Sequence, residues 1–231
     1  MFKNDLFYDV DLAFPSPEVN MSEEEYQKEA KDLAMALMLE MQKLTDIAKA
    51  YGFASVFDKC KEEMTYTAKP HINIVMHKLH DTKHDISIET NLCRKYECRG
   101  ELRPASIIME LGFYGYKEKN AFRELYTNYR RLIELLVKRA GVPIKVENVI
   151  YNYKGNKTLA QIDSYFESDW PEDTTSTFSL AAEFTQESSY ENMVKTFLSL
   201  LIIYDSALNY LSDRKSPDKI LNYYFKLMND A

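Results

Sequence analysis

HINIVMHKLHDTKH, residues 71–84, contains all 4 histidines of the 231-residue chain: His71, His77, His80 and His84. Two of the 3 cysteines, Cys93 and Cys98, follow soon after. Imidazole nitrogens and thiolates ligate zinc and related metals when three or four of them converge. His77, His80 and His84 are spaced by three and four, which would align them on a helix. The residues around them alternate as strand and turn instead. Cys93-x4-Cys98 is wider than the usual zinc-knuckle spacing.

Acid/base chemistry needs less. A carboxylate beside an imidazole orients the ring and raises its pKa. A hairpin whose loop is Asp81 to Asp85 would set His77 opposite Glu89. The segment therefore offers a catalytic pair, His77 and Glu89. It also offers a metal set, His77, His80 and His84, with zinc or manganese as the cofactor. The third reading is a histidine-rich turn with no cofactor, in which His77 and Glu89 form a surface ion pair and protonated His77 is stabilised.

Other chemistry finds no motif. There is no G-x-S-x-G elbow and no glycine-rich phosphate loop, and the strand segments lack the Glu-x-Lys of many metal nucleases. Cys60 falls in an expected helix and reads as a small core residue.

The elements that would position these residues follow from periodicity. Ser22 and Glu25 have the S-x-x-E spacing of a capping box. Tyr26, Ala30, Leu33, Leu37, Met41, Leu44, Ala48 and Tyr51 then recur at steps of three and four, which predicts a helix from Ser22 to Tyr51, with Gly52 past its end. A shorter helix is expected over Ala54 to Met64. Met21, Met35, Met38 and Met41 supply either core filling or an adaptable binding face.

After Pro70 the period becomes two. Ile72, Ile74 and Met76 are expected to face the core, with His71 and His77 on the polar face. Ile86 and Ile88 mark a second strand and Ala105 to Tyr114 a third. Helical spacing returns over Lys119 to Ala140. Pro143 to Tyr153 reads as a fourth strand, YKGNK as a turn, Leu159 to Phe166 as a short helix and Phe178 to Phe184 as a possible fifth strand. Ser188 and Glu191 open a helix over Asn192 to Leu211. Ser216 and Pro217 open a last helix, to about Met228.

Strands in succession without intervening helices predict α+β. The expectation is a single domain over 1–231, with a mainly antiparallel sheet of four to five strands packed against long helices at both ends of the chain. Its parts are helical 20–65, sheet plus helix 70–155, and an acidic loop with a helical C-terminal part over 158–231.

Composition narrows the function class. Hydrophobic residues at 45% and charged residues at 28% suit a globular protein, and only 6 Gly and 7 Pro argue against disorder. The first residues lack a basic start and an apolar run, and the longest apolar stretch, residues 197–204, is too short to span a bilayer, so a cytoplasmic protein without a membrane is expected.

The net charge of −7 is segregated: residues 60–157 carry 18 basic and 12 acidic side chains, and residues 158–194 carry 8 acidic ones with no Lys or Arg. A basic middle can bind an anion or be covered by the acidic ends. Arg123, Arg130 and Arg131 with Tyr126 and Tyr129 could hold nucleic acid, but the acidic whole disfavours it.

The functional expectation is a cytosolic binding or interaction protein with a protein partner and no chemistry of its own. The alternative is a metal-dependent hydrolase, a phosphodiesterase or nuclease, centred on His71 to His84. The sequence leaves the oligomeric state open.

Overall fold

The computed structural model describes residues 22–66, 75–81, 83–93, 96–98, 101–103, 105–150, 153–158 and 177–213. Helix α1 runs Glu23–Ala48. Its start is the expected capping box: the Ser22 backbone N–H donates to Glu25 Oε2 at 2.8 Å, and the Glu25 N–H donates to Ser22 Oγ at 3.3 Å. These bonds satisfy amide donors that the first helical turn leaves without partners. The chain leaves α1 through a π turn, Lys49–Phe53, in which Gly52 has φ 95°, a region that favours glycine. Helix α2 is one turn, Ala54–Phe57.

The segment expected to continue as helix turns instead into strand β1, Lys61–Tyr66. Then come β2 Val75–Asp81, β3 Ile86–Cys93, the short pair β4 Tyr96–Cys98 and β5 Glu101–Arg103, and β6 Ser106–Phe113. Helix α3 covers Tyr116–Arg139, with a kink at Tyr129. Strands β7 Ile144–Ile150, β8 Tyr153–Thr158 and β9 Thr177–Phe184 precede helix α4, Tyr190–Asp213. At the start of α4, Ser189 Oγ accepts the Asn192 N–H at 3.2 Å, so the cap lies one residue beyond the expected Ser188.

The fold is α+β, as expected, with a larger sheet. Among the described residues seven strands pair in the order β1-β2-β3-β6-β9-β7-β8, and each of these pairings is antiparallel. Two of them were not expected: β1 was assigned to helix and β8 to a turn. The expected helices over 159–166 and 216–228, the acidic loop, and Ile72, Ile74 and His71 lie outside the described residues.

Helix α1 lies against β1 and β2, while α4 crosses β3, β6 and β9 with α3 packed alongside it. The core face of the sheet supplies Val75, Leu79, Ile86, Ile88, Leu92, Ile107, Met109, Leu111 and Phe113, all buried. Facing them are Leu37, Met41 and Leu44 of α1 and Phe197, Leu201 and Tyr204 of α4. Side chains alternate along a strand, and that parity decides where the candidate chemistry goes.

Candidate functional site

The parity of β2 is opposite to the expected one. Val75, His77 and Leu79 are buried, whereas Met76, Lys78 and His80 are half-buried on the outer face. His77 therefore lies in the core, with a side chain only 1% exposed. Its cross-strand neighbours are Met64 of β1 and Thr90 of β3. The expected pairing with Glu89 does not form, because the hairpin register sets Glu89 opposite Lys78. His77 instead holds Glu62 of β1, with Nε2 2.7 Å from Oε1.

The expected rise of the His77 pKa is also reversed. Burial disfavours the charged imidazole and outweighs the Glu62 hydrogen bond and charge, so the pKa lies below 6.5. Glu62 is 57% exposed, and water screens its attraction. The sign of the pH effect follows. Below about 6.5 the unfolded chain takes up a proton that folded His77 resists, so stability falls as pH falls through that range. The wild type should lose more stability between about pH 7.5 and about pH 5.5 than His77→Gln, which cannot be protonated there. Urea midpoints of both proteins at both pH values check this. Equal losses would place His77 in water.

His80, three residues on, points to the outer face, with Nε2 3.3 Å from Asp85 Oδ1. His84 sits in the turn between β2 and β3. Asp85, beside it, has a φ of 48°, and its carbonyl accepts the Tyr114 N–H at 3.2 Å. A strand thus sends His77 and His80 to opposite sides of the sheet. Among the described residues, no group of three or more His, Cys, Asp and Glu side chains is placed to hold a metal ion.

The outer face brings together a different set, centred on Glu89. Its Oε1 accepts from Tyr114 Oη at 2.7 Å, from Ser87 Oγ at 3.0 Å and from Lys78 Nζ at 3.0 Å. Lys78 Nζ also lies 5.0 Å from the centre of the Tyr114 ring. Glycine permits this arrangement. A Cβ on Gly112 would lie 2.6 Å from the Tyr114 hydroxyl, so only a bare backbone lets the ring lie back across the strand toward Glu89. Glu110 stands opposite Glu89 on β6. Sequence reasoning named Glu89 but missed Lys78 and Tyr114. The signal was the strand parity, since Lys78 shares a face with Met76 and His80.

Burial pushes the Glu89 carboxyl up, but the hydrogen bonds from Tyr114, Lys78 and Ser87 together with the Lys78 charge outweigh it and hold the group below its usual value. Tyr114 moves the other way: burial, then the adjacent Glu89 charge and hydrogen bond, raise its phenol well above the ordinary range. Near neutral pH the pair is thus a poor base beside a poor acid. The arrangement suits locking β2, β3 and β6 in register more than moving protons.

On the core side, burial pushes the Cys60 thiol up, and its sulfur lies 3.1 Å from Tyr204 Oη. That makes it a tie between the β1 entry and α4, since reactivity needs the thiolate. On α3, Tyr126 is buried and Arg130 is engaged with Glu134 at 2.8 Å, so this helix does not present Tyr126 for stacking.

A third feature lies on α1. Its inner stripe follows the expected one from Ala30 to Ala48: Ala30, Leu33, Leu37, Met41, Leu44 and Ala48 are buried, but Tyr51, expected on the same stripe, falls past the end of the helix and is 38% exposed. Its outer stripe carries Met35, Met38 and Leu39 at 55%, 48% and 60% exposure. These are three of the six exposed large hydrophobic side chains among the described residues. Met35 and Met38 lie outward while Met41 fills the core. No described helix is long and apolar enough to cross a membrane. Comparison with protein-family models, curated proteins and solved structures finds no match for this chain.

Proposed function

We propose that this protein works in the cytoplasm by binding a protein partner through the outward face of α1, with no chemistry of its own. The observation that carries the reading is the contiguous exposure of Met35, Met38 and Leu39 on the longest of the described helices. Isolated apolar side chains on a surface are ordinary, but three at i, i+3 and i+4 make one patch that water contacts unfavourably. Unbranched, polarisable methionine adapts its shape to what covers it.

The ionisable clusters support the same reading from the other side. Glu89 and Tyr114 are tuned away from proton transfer at neutral pH, and His77 is held by Glu62 within the core.

The reading predicts a native assembly larger than the 27.0 kDa chain. Chemical cross-linking inside the source cell, before any dilution, should trap the protein above its monomer size. The double variant Met38→Glu/Leu39→Glu should run as a monomer with an unchanged circular-dichroism spectrum, because both positions face solvent. Wild type and variant both running at monomer size would reject the reading.

A further inference from the structure

We propose that the partner on α1 is a second copy of this chain, the two α1 helices packing antiparallel along one seam. The proposal rests on the reading of α1 as the binding surface and names its occupant. Lys28, Asp32, Met35, Leu39, Gln42 and Asp46 are all exposed on α1. They follow one another at steps of four, three, four, three and four, the spacing with which a helix keeps one face toward a partner helix. The stripe spans roughly 27 Å at the rise of an α-helix.

The order of residue types along this seam selects the orientation. In a parallel pair each residue would meet its own copy at the same height. Lys28 would face Lys28, Asp32 would face Asp32 and Asp46 would face Asp46, three like-charge contacts. In an antiparallel pair with its two-fold axis level with Leu37, Met35 meets Leu39 of the second copy at the centre. Asp32 then meets Gln42, and Lys28 meets Asp46. Because such an interface is isologous, each contact occurs twice. The result is an apolar centre closed at both ends by opposite charges, a layout that favours one orientation over the other. Met38 lies beside the seam and can fold over its centre. Lys43, on the flank, is already paired with Glu40 of its own helix.

The surface available is small. One helix pair of this length falls short of the roughly 800 Å² per partner of standard interfaces, so the association is weak, with a dissociation constant of roughly tens to hundreds of micromolar. Sedimentation equilibrium of the purified full chain over that concentration range is the test. The wild type should self-associate, and Leu39→Glu should be monomeric throughout. Lys28→Glu alone and Asp46→Lys alone should each weaken association by about tenfold, since each reverses both symmetry-related contacts. Lys28→Glu combined with Asp46→Lys should return it to within about twofold of wild type.

A monomer at all concentrations, or a dimer that Leu39→Glu leaves intact, overturns the self-pairing. So does a failure of the combined charge reversal to restore association. If the purified chain is monomeric while the native assembly still collapses with Met38→Glu/Leu39→Glu, the occupant is a different protein and the binding reading stands. If both effects are missing, both fail.

Discussion

Leu201→Ala is expected to destabilise the protein by about 2–5 kcal/mol. Leu201 is fully buried in α4, the helix that crosses the central strands β3, β6 and β9. Its neighbours Phe197, Leu200, Ile202, Ile203 and Tyr204 are buried as well, so the helix has no wet side here onto which the structure could relax. The truncation therefore loses the transfer free energy of the removed atoms and leaves a cavity besides. Urea unfolding monitored by circular dichroism measures the effect. Met38→Ala on the outer face of α1 is the control and should stay within about 0.5 kcal/mol. A Leu201→Ala loss as small as the control's would mean that α4 does not form the centre of the core.

The second large effect is expected at Glu89. Glu89→Ala should cost about 2–4 kcal/mol, because it removes a shared acceptor rather than one contact. Lys78, with a side chain 19% exposed, would keep its charge without its carboxylate. Tyr114 and Ser87 would each lose the oxygen they donate to. Lys78→Met should cost less, since Glu89 would retain the Tyr114 and Ser87 hydrogen bonds. The combined Lys78→Met/Glu89→Leu should be more stable than Glu89→Ala alone, because no half-buried charge is stranded. Thermal midpoints of the three variants rank them. Glu89→Ala within about 0.5 kcal/mol of wild type would show the outer face to be freely solvated.

The Glu89 pKa lies below 4.5 in the folded state, so the stability it confers is present above that pH and is lost as pH falls through its folded value. The His77 effect begins higher, near 6.5. Acid destabilisation should therefore come in two stages, with His77 first.

Where the sequence was legible, local rules and long-range packing agreed. The Ser22 and Glu25 spacing marked the start of α1 because the capping box is made within four residues. The inner stripe of α1 showed its period strongly enough to identify the helix, and α4 stood out as a long apolar run behind the Ser188 and Glu191 spacing. Ile86 and Ile88 were read to the correct face because Ser87 and Glu89 between them are polar. Strand β2 was misread for the opposite reason. Val75 and Met76 are both apolar, so the alternation has no unique parity, and the core side includes His77, a residue that by type belongs outside. Its partner Glu62 was invisible, because KEEMTY has no alternation and follows a helix without a turn signal. A strand at the edge of a sheet buries too little to write a pattern.

Strand β8 was hidden by KGNK, which has turn chemistry. The position of β9 between β6 and β7 depends on pairings as distant as Ile107 with Phe184, which no local window contains. The Glu89 cluster depended on the β2 parity and fell with it. The methionines of α1 were noticed, but only burial separates Met41 from Met35 and Met38.

The central claim is that the outward stripe of α1 is a binding surface, and site-specific photo-cross-linking in the source cell tests it most directly. A photo-reactive residue in place of Met38 lies in the middle of the exposed patch, and one in place of Glu183, exposed on β9, serves as a control position away from α1. The account predicts a discrete cross-linked protein adduct from position 38, absent at position 183 and suppressed by Leu39→Glu. Equal labelling at the two positions, or an adduct at position 38 that Leu39→Glu leaves unchanged, would contradict it.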